Sequence, residues 1–138
     1  MIGYPEHYDV KPPGRDGRVW TVQNPDGKFG YNYKGVRIIP RDGFKTDFAS
    51  IPRIAWRLIG PPTGYGKKAN YGPAAVIHDV CYVTRVMGSD PNGRKLADRV
   101  MLAAMKDLGV SLWRRRLMYR ILRLFGRRHY GRGECEFP

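Results

Sequence analysis

The sequence predicts an α+β fold: a small N-terminal antiparallel β-sheet or set of hairpins, followed by a group of about four α-helices. Three observations carry this prediction. Before residue 48, apolar residues alternate or run in short stretches between Asn24-Pro25-Asp26-Gly27, Lys34-Gly35 and Asp42-Gly43, all turn signals. From Ser50 onward they recur at the three- and four-residue spacing of helix faces. The length of 138 residues, with 42% hydrophobic and 27% charged, suits one hydrophobic core rather than two. The chain therefore reads as a single domain over 1–138, with a β-rich part at 1–48, a helical part at 49–126 and a basic, glycine-containing tail at 127–138.

Each element has a local reason. Strands are expected at 18–23, around Val-Trp-Thr-Val, and at 29–33 and 36–39, where Lys34-Gly35 makes a tight hairpin. A further strand at 44–48 follows Asp42-Gly43. Ser50 is a candidate N-cap for a helix carrying the stripe Ile54, Ala55, Leu58 and Ile59, which Gly60-Pro61-Pro62 stops. Gly72-Pro73 opens a second helix running to about Val86. Residues 88–93 read as a loop, 94–108 as a third helix closed by Gly109, and 112–125 as a fourth, capped by Ser111 and stopped by Gly126.

The charge is strongly uneven. The chain has 25 Lys and Arg against 12 Asp and Glu, a formal +13. Residues 94–138 carry 12 basic and 4 acidic groups, so the last third supplies most of the excess. A field of this sign attracts nucleic acid, an anionic membrane or an acidic partner. No helix-turn-helix, zinc-finger or ribonucleoprotein motif accompanies it. The first twenty residues, with Pro5, Glu6, Asp9, Pro12 and Pro13, do not read as a signal peptide. No run reaches the roughly twenty apolar residues of a membrane span. Cys81 and Cys135, far apart, make neither a disulfide framework nor a zinc site. No Gly-x-Ser-x-Gly elbow surrounds Ser50.

The second helix reads Ala74-Ala75-Val76-Ile77-His78-Asp79-Val80-Cys81-Tyr82-Val83, apolar in nearly every direction and hence buried. Into it the sequence sets an imidazole beside a carboxylate, with His78 and Tyr82 on one face and Asp79 about 100° further round. An ionised carboxylate buried there needs a cation, donors or a metal. In the third helix Asp98 sits at the edge of the arc formed by Ala97, Met101, Ala104 and Leu108, partly inward. Were these two helices antiparallel neighbours, Asp98 would accept a hydrogen bond from His78, fixing its tautomer and raising the basicity of the other ring nitrogen. The residues leave two readings open: a structural polar cluster, with Asp79 paired to Arg53, Arg57 or Arg85, and a chemically active or metal-binding one. The fourth helix spreads Trp113, Leu117, Met118, Ile121, Leu122, Leu124 and Phe125 over a broad apolar arc, with Arg116, Arg120 and Arg123 opposite. Trp113, Arg114, Arg115, Arg116, Arg120 and Arg123 are its candidate interaction surface, with a protein partner ranked above a membrane and a membrane above nucleic acid.

Several motifs in order carry a resemblance. Thr46-Asp47-Phe48-Ala49-Ser50-Ile51-Pro52, His78-Asp79-Val80-Cys81-Tyr82, Ala97-Asp98 through Met101, and Trp113-Arg114-Arg115 resemble an uncharacterised bacteriophage and prophage family, domain of unknown function 1353. That resemblance implies phage origin and a place among late genes near tail or lysis genes, with no settled activity. It makes the first expectation a virion-associated structural protein of the tail or baseplate, made in the host cytoplasm. Its partners would be other virion proteins, with a homo-oligomer as a further option, and it would need no cofactor. His-Asp-x-x-Tyr followed by an inward Asp is also similar to secreted and parvoviral phospholipases A2. This second resemblance implies a calcium-dependent hydrolase acting on the host envelope during entry or lysis. In it His78 is the base, Asp79 a calcium ligand and Asp98 the carboxylate that orients the base, with backbone carbonyls of 60–66 completing the oxygen shell. Asp47 is either the cap of its own turn or a further ligand to the same cation.

Overall fold

The computed structural model describes residues 4, 6–11, 19–46 and 71–126. Five short strands precede three helices among them, which is the α+β order the sequence predicts. The strands are β1 (Val10–Lys11), β2 (Trp20–Val22), β3 (Tyr31–Tyr33), β4 (Val36–Ile38) and β5 (Lys45–Thr46). The helices are α1 (Gly72–Thr84), α2 (Pro91–Asp107) and α3 (Leu112–Phe125). The helix expected from Ser50 and the tail from residue 127 lie outside the described residues.

The strands form two small antiparallel sheets, one in the order β1-β2-β5 and the other the hairpin β3-β4. Strand β1 has no strong sequence signal; Val10 pairs with Val22 across the ladder and supplies its reason to exist. The β3-β4 hairpin turns on Lys34 and Gly35, both at positive φ (47° and 89°), so that the two-residue loop matches the twist of its strands. Asn32 accepts from the Gly35 amide at 3.0 Å and holds that turn.

Asn24 opens the turn the sequence marks, its carbonyl accepting from the Gly27 amide at 3.1 Å, and is also the buried hub of the β part. Its side-chain amide donates to the carbonyls of Phe29 (3.0 Å) and Pro40 (2.7 Å), and its oxygen accepts from the Phe29 amide (3.0 Å). Three groups from two loops depend on one side chain. Asn24→Ala is therefore expected to destabilise the fold by about 1–3 kcal/mol, read as a lower denaturant midpoint, through the buried backbone groups it leaves unpaired.

The helices pack α1 on α2 and α2 on α3, with α1 buried along nearly all its length. Helix α1 stops at Thr84, two residues before the expected end, because Arg85 takes a left-handed conformation (φ 53°) and its amide bonds back to the Cys81 carbonyl. Helix α2 starts at Pro91, three residues earlier than expected. Asp90 caps it by accepting from the Gly93 amide at 2.8 Å, and Pro91 occupies the first turn, where its missing N–H costs nothing. Gly93 lies against the preceding loop: a Cβ there would fall 2.1 Å from the Gly88 carbonyl oxygen. Tyr4 and Tyr31 tie the β part to the last turns of α2, donating to the Ala104 carbonyl (3.0 Å) and to Asp107 Oδ2 (2.6 Å).

Candidate functional site

The buried polar residues of α1 and α2 meet where the helices face each other. His78, 1% exposed, lies on the side of α1 turned to α2, and Asp98, fully buried, lies opposite it. His78 Nε2 is 2.8 Å from Asp98 Oδ1, the contact that helix spacing predicts. Tyr82, one turn after His78, donates to the same oxygen at 2.6 Å, and its ring lies 4.2 Å from the imidazole, centroid to centroid. The other carboxylate oxygen accepts from Arg123 Nη1 of α3 at 2.9 Å and has Arg94 Nη1, one turn earlier in α2, at 3.7 Å. Arg94 also donates through Nη2 to the Arg123 carbonyl at 2.8 Å, so one guanidinium braces α2 against the end of α3. Asp98 thus sits wholly inward rather than at the edge of the apolar arc, because hydrogen bonds from His78, Tyr82 and Arg123 satisfy it and the Arg94 guanidinium adds positive charge at 3.7 Å.

This shell fixes the charge of Asp98. Burial alone would push its carboxyl up. The hydrogen bond from His78, with those from Tyr82 and Arg123, outweighs burial and holds it below the usual carboxylate range. Burial, with the Asp98 charge beside Tyr82 and the Asp79 and Asp98 charges beside Cys81, pushes the Tyr82 phenol and the Cys81 thiol far up, so both stay protonated. The depressed Asp98 value contributes stability at every pH above that of the unfolded carboxyl, about 4, and this contribution is lost as pH falls through the folded value. Arg123→Gln removes a donor and raises that folded value. Its acid-unfolding midpoint, followed by circular dichroism, is expected to move to higher pH than that of the wild type.

With Asp98 ionised, the ring nitrogen facing it carries the hydrogen. In the neutral imidazole the lone pair then lies on Nδ1. Nδ1 is buried and has no hydrogen-bond partner among the described residues. Among the described residues the nearest carboxylate oxygen to it is Asp79 Oδ1 at 4.0 Å, too far for a hydrogen bond. Asp79 is itself held from the sheet, where Thr46 Oγ1 donates to its Oδ2 at 2.5 Å. One ring nitrogen is anchored, the other has no hydrogen-bond partner among the described residues, and His78 and Asp79 together bridge the helical and β parts.

Asp47 and residues 60–66 lie outside the described residues. Among the described residues no three of His, Cys, Asp and Glu gather as a metal site would need. A cation beside His78 would have Asp79 as its carboxylate and would take the rest of its six to eight oxygens from backbone groups. On α3 the six surface candidates divide. Arg116 and Arg120 are exposed, Trp113 is 57% exposed and Arg115 is half-buried, whereas Arg114 is buried and Arg123 is engaged with Asp98. Arg114 turns inward because its position falls on the same helical stripe as Met118 and Leu122. Of the residues whose site roles the sequence does not assign, Arg94 stands four before Asp98, a visible pairing distance. Arg123 and Thr46 come from distant elements and carry no local signal.

No curated protein and no solved structure matches the chain. The family described as protein of unknown function (DUF1353) matches residues 20–122, from β2 through all but the last turn of α3. That span includes His78, Asp79, Tyr82, Asp98 and Arg94, and on this match the chain belongs to the DUF1353 family.

Proposed function

We propose that the protein is a hydrolase in which His78 is the general base on water and the substrate is a phospholipid acyl ester. The observation that carries this reading is the asymmetry of the imidazole: Nε2 is fixed on an ionised, fully buried carboxylate, and Nδ1 is buried with no hydrogen-bond partner among the described residues. A buried acceptor left unpaired costs about 1–3 kcal/mol, which a residue serving packing alone has no reason to bear. The virion-assembly expectation explains the Asp98 shell equally well and leaves Nδ1 unexplained.

In the proposed reaction Nδ1 takes a proton from water as the water oxygen adds to the acyl carbon. The tetrahedral intermediate then expels the alcohol oxygen, which takes that proton back from the imidazolium, giving a free acid and an alcohol. Asp98 stays a carboxylate throughout, holding the ring orientation and stabilising the imidazolium. A calcium ion at Asp79, as the phospholipase resemblance implies, would supply charge stabilisation of the developing oxyanion. The phage origin implied by the family resemblance would put the substrate in the host envelope.

The test is acyl release from phosphatidylglycerol and phosphatidylcholine vesicles by the purified protein, with calcium added and with it chelated. Release of fatty acid supports the reading, and its loss on chelation shows that a cation is required. No release under either condition overturns it.

A further inference from the structure

The apolar arc of α3 is wider than the face it buries. Arg114, Met118 and Leu122 point into the molecule, and the opposite edge of the arc is left uncovered. Trp113 is 57% and Leu124 74% exposed, and with Arg116 and Arg120 between them they form a single outward stripe at spacings of three, four and four. Leu112 and Phe125, at the two ends of the helix, are 50% and 60% exposed. The apolar anchors therefore stand about 16 Å apart along the axis, with guanidiniums between them. The helix has five arginines and no acidic residue, and Arg127 and Arg128 follow it in sequence.

From this stripe we infer that α3 is a docking surface for an anionic lipid bilayer, on which the helix lies in the plane of the head groups. Charge complementarity selects an anionic occupant, since no carboxylate on the helix offsets its arginines. The distribution of the apolar groups selects a bilayer. Separate apolar wedges at both ends of an exposed stripe suit a surface that admits a side chain anywhere, with Arg stems lying along the acyl boundary and their heads among phosphates. Indole at the edge of such a stripe matches the polarity gradient of the interface. No helix of the described residues is long and apolar enough to cross a membrane, so the contact is one of lying on the surface. The stripe is separate from His78: α3 is linked to the imidazole on its Nε2 side, through Arg123 and Asp98.

Co-sedimentation of the full chain with vesicles of phosphatidylglycerol and phosphatidylcholine, against phosphatidylcholine alone, tests this. The expected result is binding to the anionic vesicles that weakens as salt is raised, and none to the zwitterionic ones. Two double variants, Trp113→Ser with Leu124→Ser and Arg116→Gln with Arg120→Gln, should each weaken binding on the order of tenfold or more. His78→Gln should bind as the wild type does, which separates this surface from the hydrolase reading. Wild-type protein left in the supernatant overturns the inference. So does an undiminished affinity of the Trp113/Leu124 variant. Duplex DNA or polyglutamate bound more tightly than the anionic vesicles would assign the arginines to another occupant and overturn it as well.

Discussion

His78→Gln should lower acyl-ester cleavage by about two to four orders of magnitude, the range that a positioned general base contributes. Glutamine is chosen because its amide nitrogen reaches where Nε2 stands and can still donate to Asp98, so the shell of Tyr82, Arg94 and Arg123 keeps its acceptor. What the variant lacks is any group able to take a proton at the position of Nδ1. The expected outcome is a protein with wild-type circular dichroism and denaturant midpoint and with almost no turnover. A glutamine variant that hydrolyses at the wild-type rate would remove His78 from the chemistry. His78→Ala is the poorer probe, since it opens space beside Asp98 and withdraws one of its donors, mixing lost stability with lost activity.

The largest effect on stability is expected at Asp98. Asp98→Ala leaves His78 Nε2, the Tyr82 hydroxyl and the buried Arg94 facing an apolar methyl, and removing one partner from a buried ionic cluster costs about 3–5 kcal/mol. For a chain of this size that corresponds to a fall in Tm on the order of 10 °C or more. Asp98→Asn separates charge from shape. Its carbonyl can still accept from His78 and Tyr82, but its amide meets Arg123 donor to donor, so it should fall between wild type and alanine. It should also lose activity out of proportion to its stability, because the ring then faces no negative charge. Equal midpoints for wild type and Asp98→Ala would mean that the shell contributes nothing to the fold.

How much of this the sequence contains differs between elements. The β3-β4 hairpin is legible from Lys34-Gly35 because a two-residue loop with glycine in second place fixes turn type and register together. The buried character of α1 is legible from its uninterrupted apolar composition, and the meeting of His78 with Asp98 from helix period plus the assumption that neighbours pack antiparallel. Strand β1 is not legible, since two residues gain strand character only by pairing with β2. The start of α2 is missed for a different reason: Asp90-Pro91 is a cap and first-turn signal that lies inside a segment rich in loop residues. The inward turn of Arg114 needs the α3 contact face, which an arc broader than the buried stripe does not define. Arg123 and Thr46 are missed because the partners they serve are far along the chain, and no periodicity records a contact between elements.

The double use of Arg123 ties the end of the chain's last described helix to the chemistry upstream. Its guanidinium holds Asp98 and its carbonyl is held by Arg94, so neither bond survives unless the closing turn of α3 is wound. Gly126 follows so closely on Tyr82 that a methyl group there would stand 2.6 Å from the phenol oxygen. A nick or truncation that unravels this turn would strip the Arg123 donor from the carboxylate, release Arg94 from the Arg123 carbonyl and slacken the imidazole, although the scission lies in a different helix. Amide-exchange protection at the end of α3 and the rate of ester cleavage should accordingly decline together in any such truncated form.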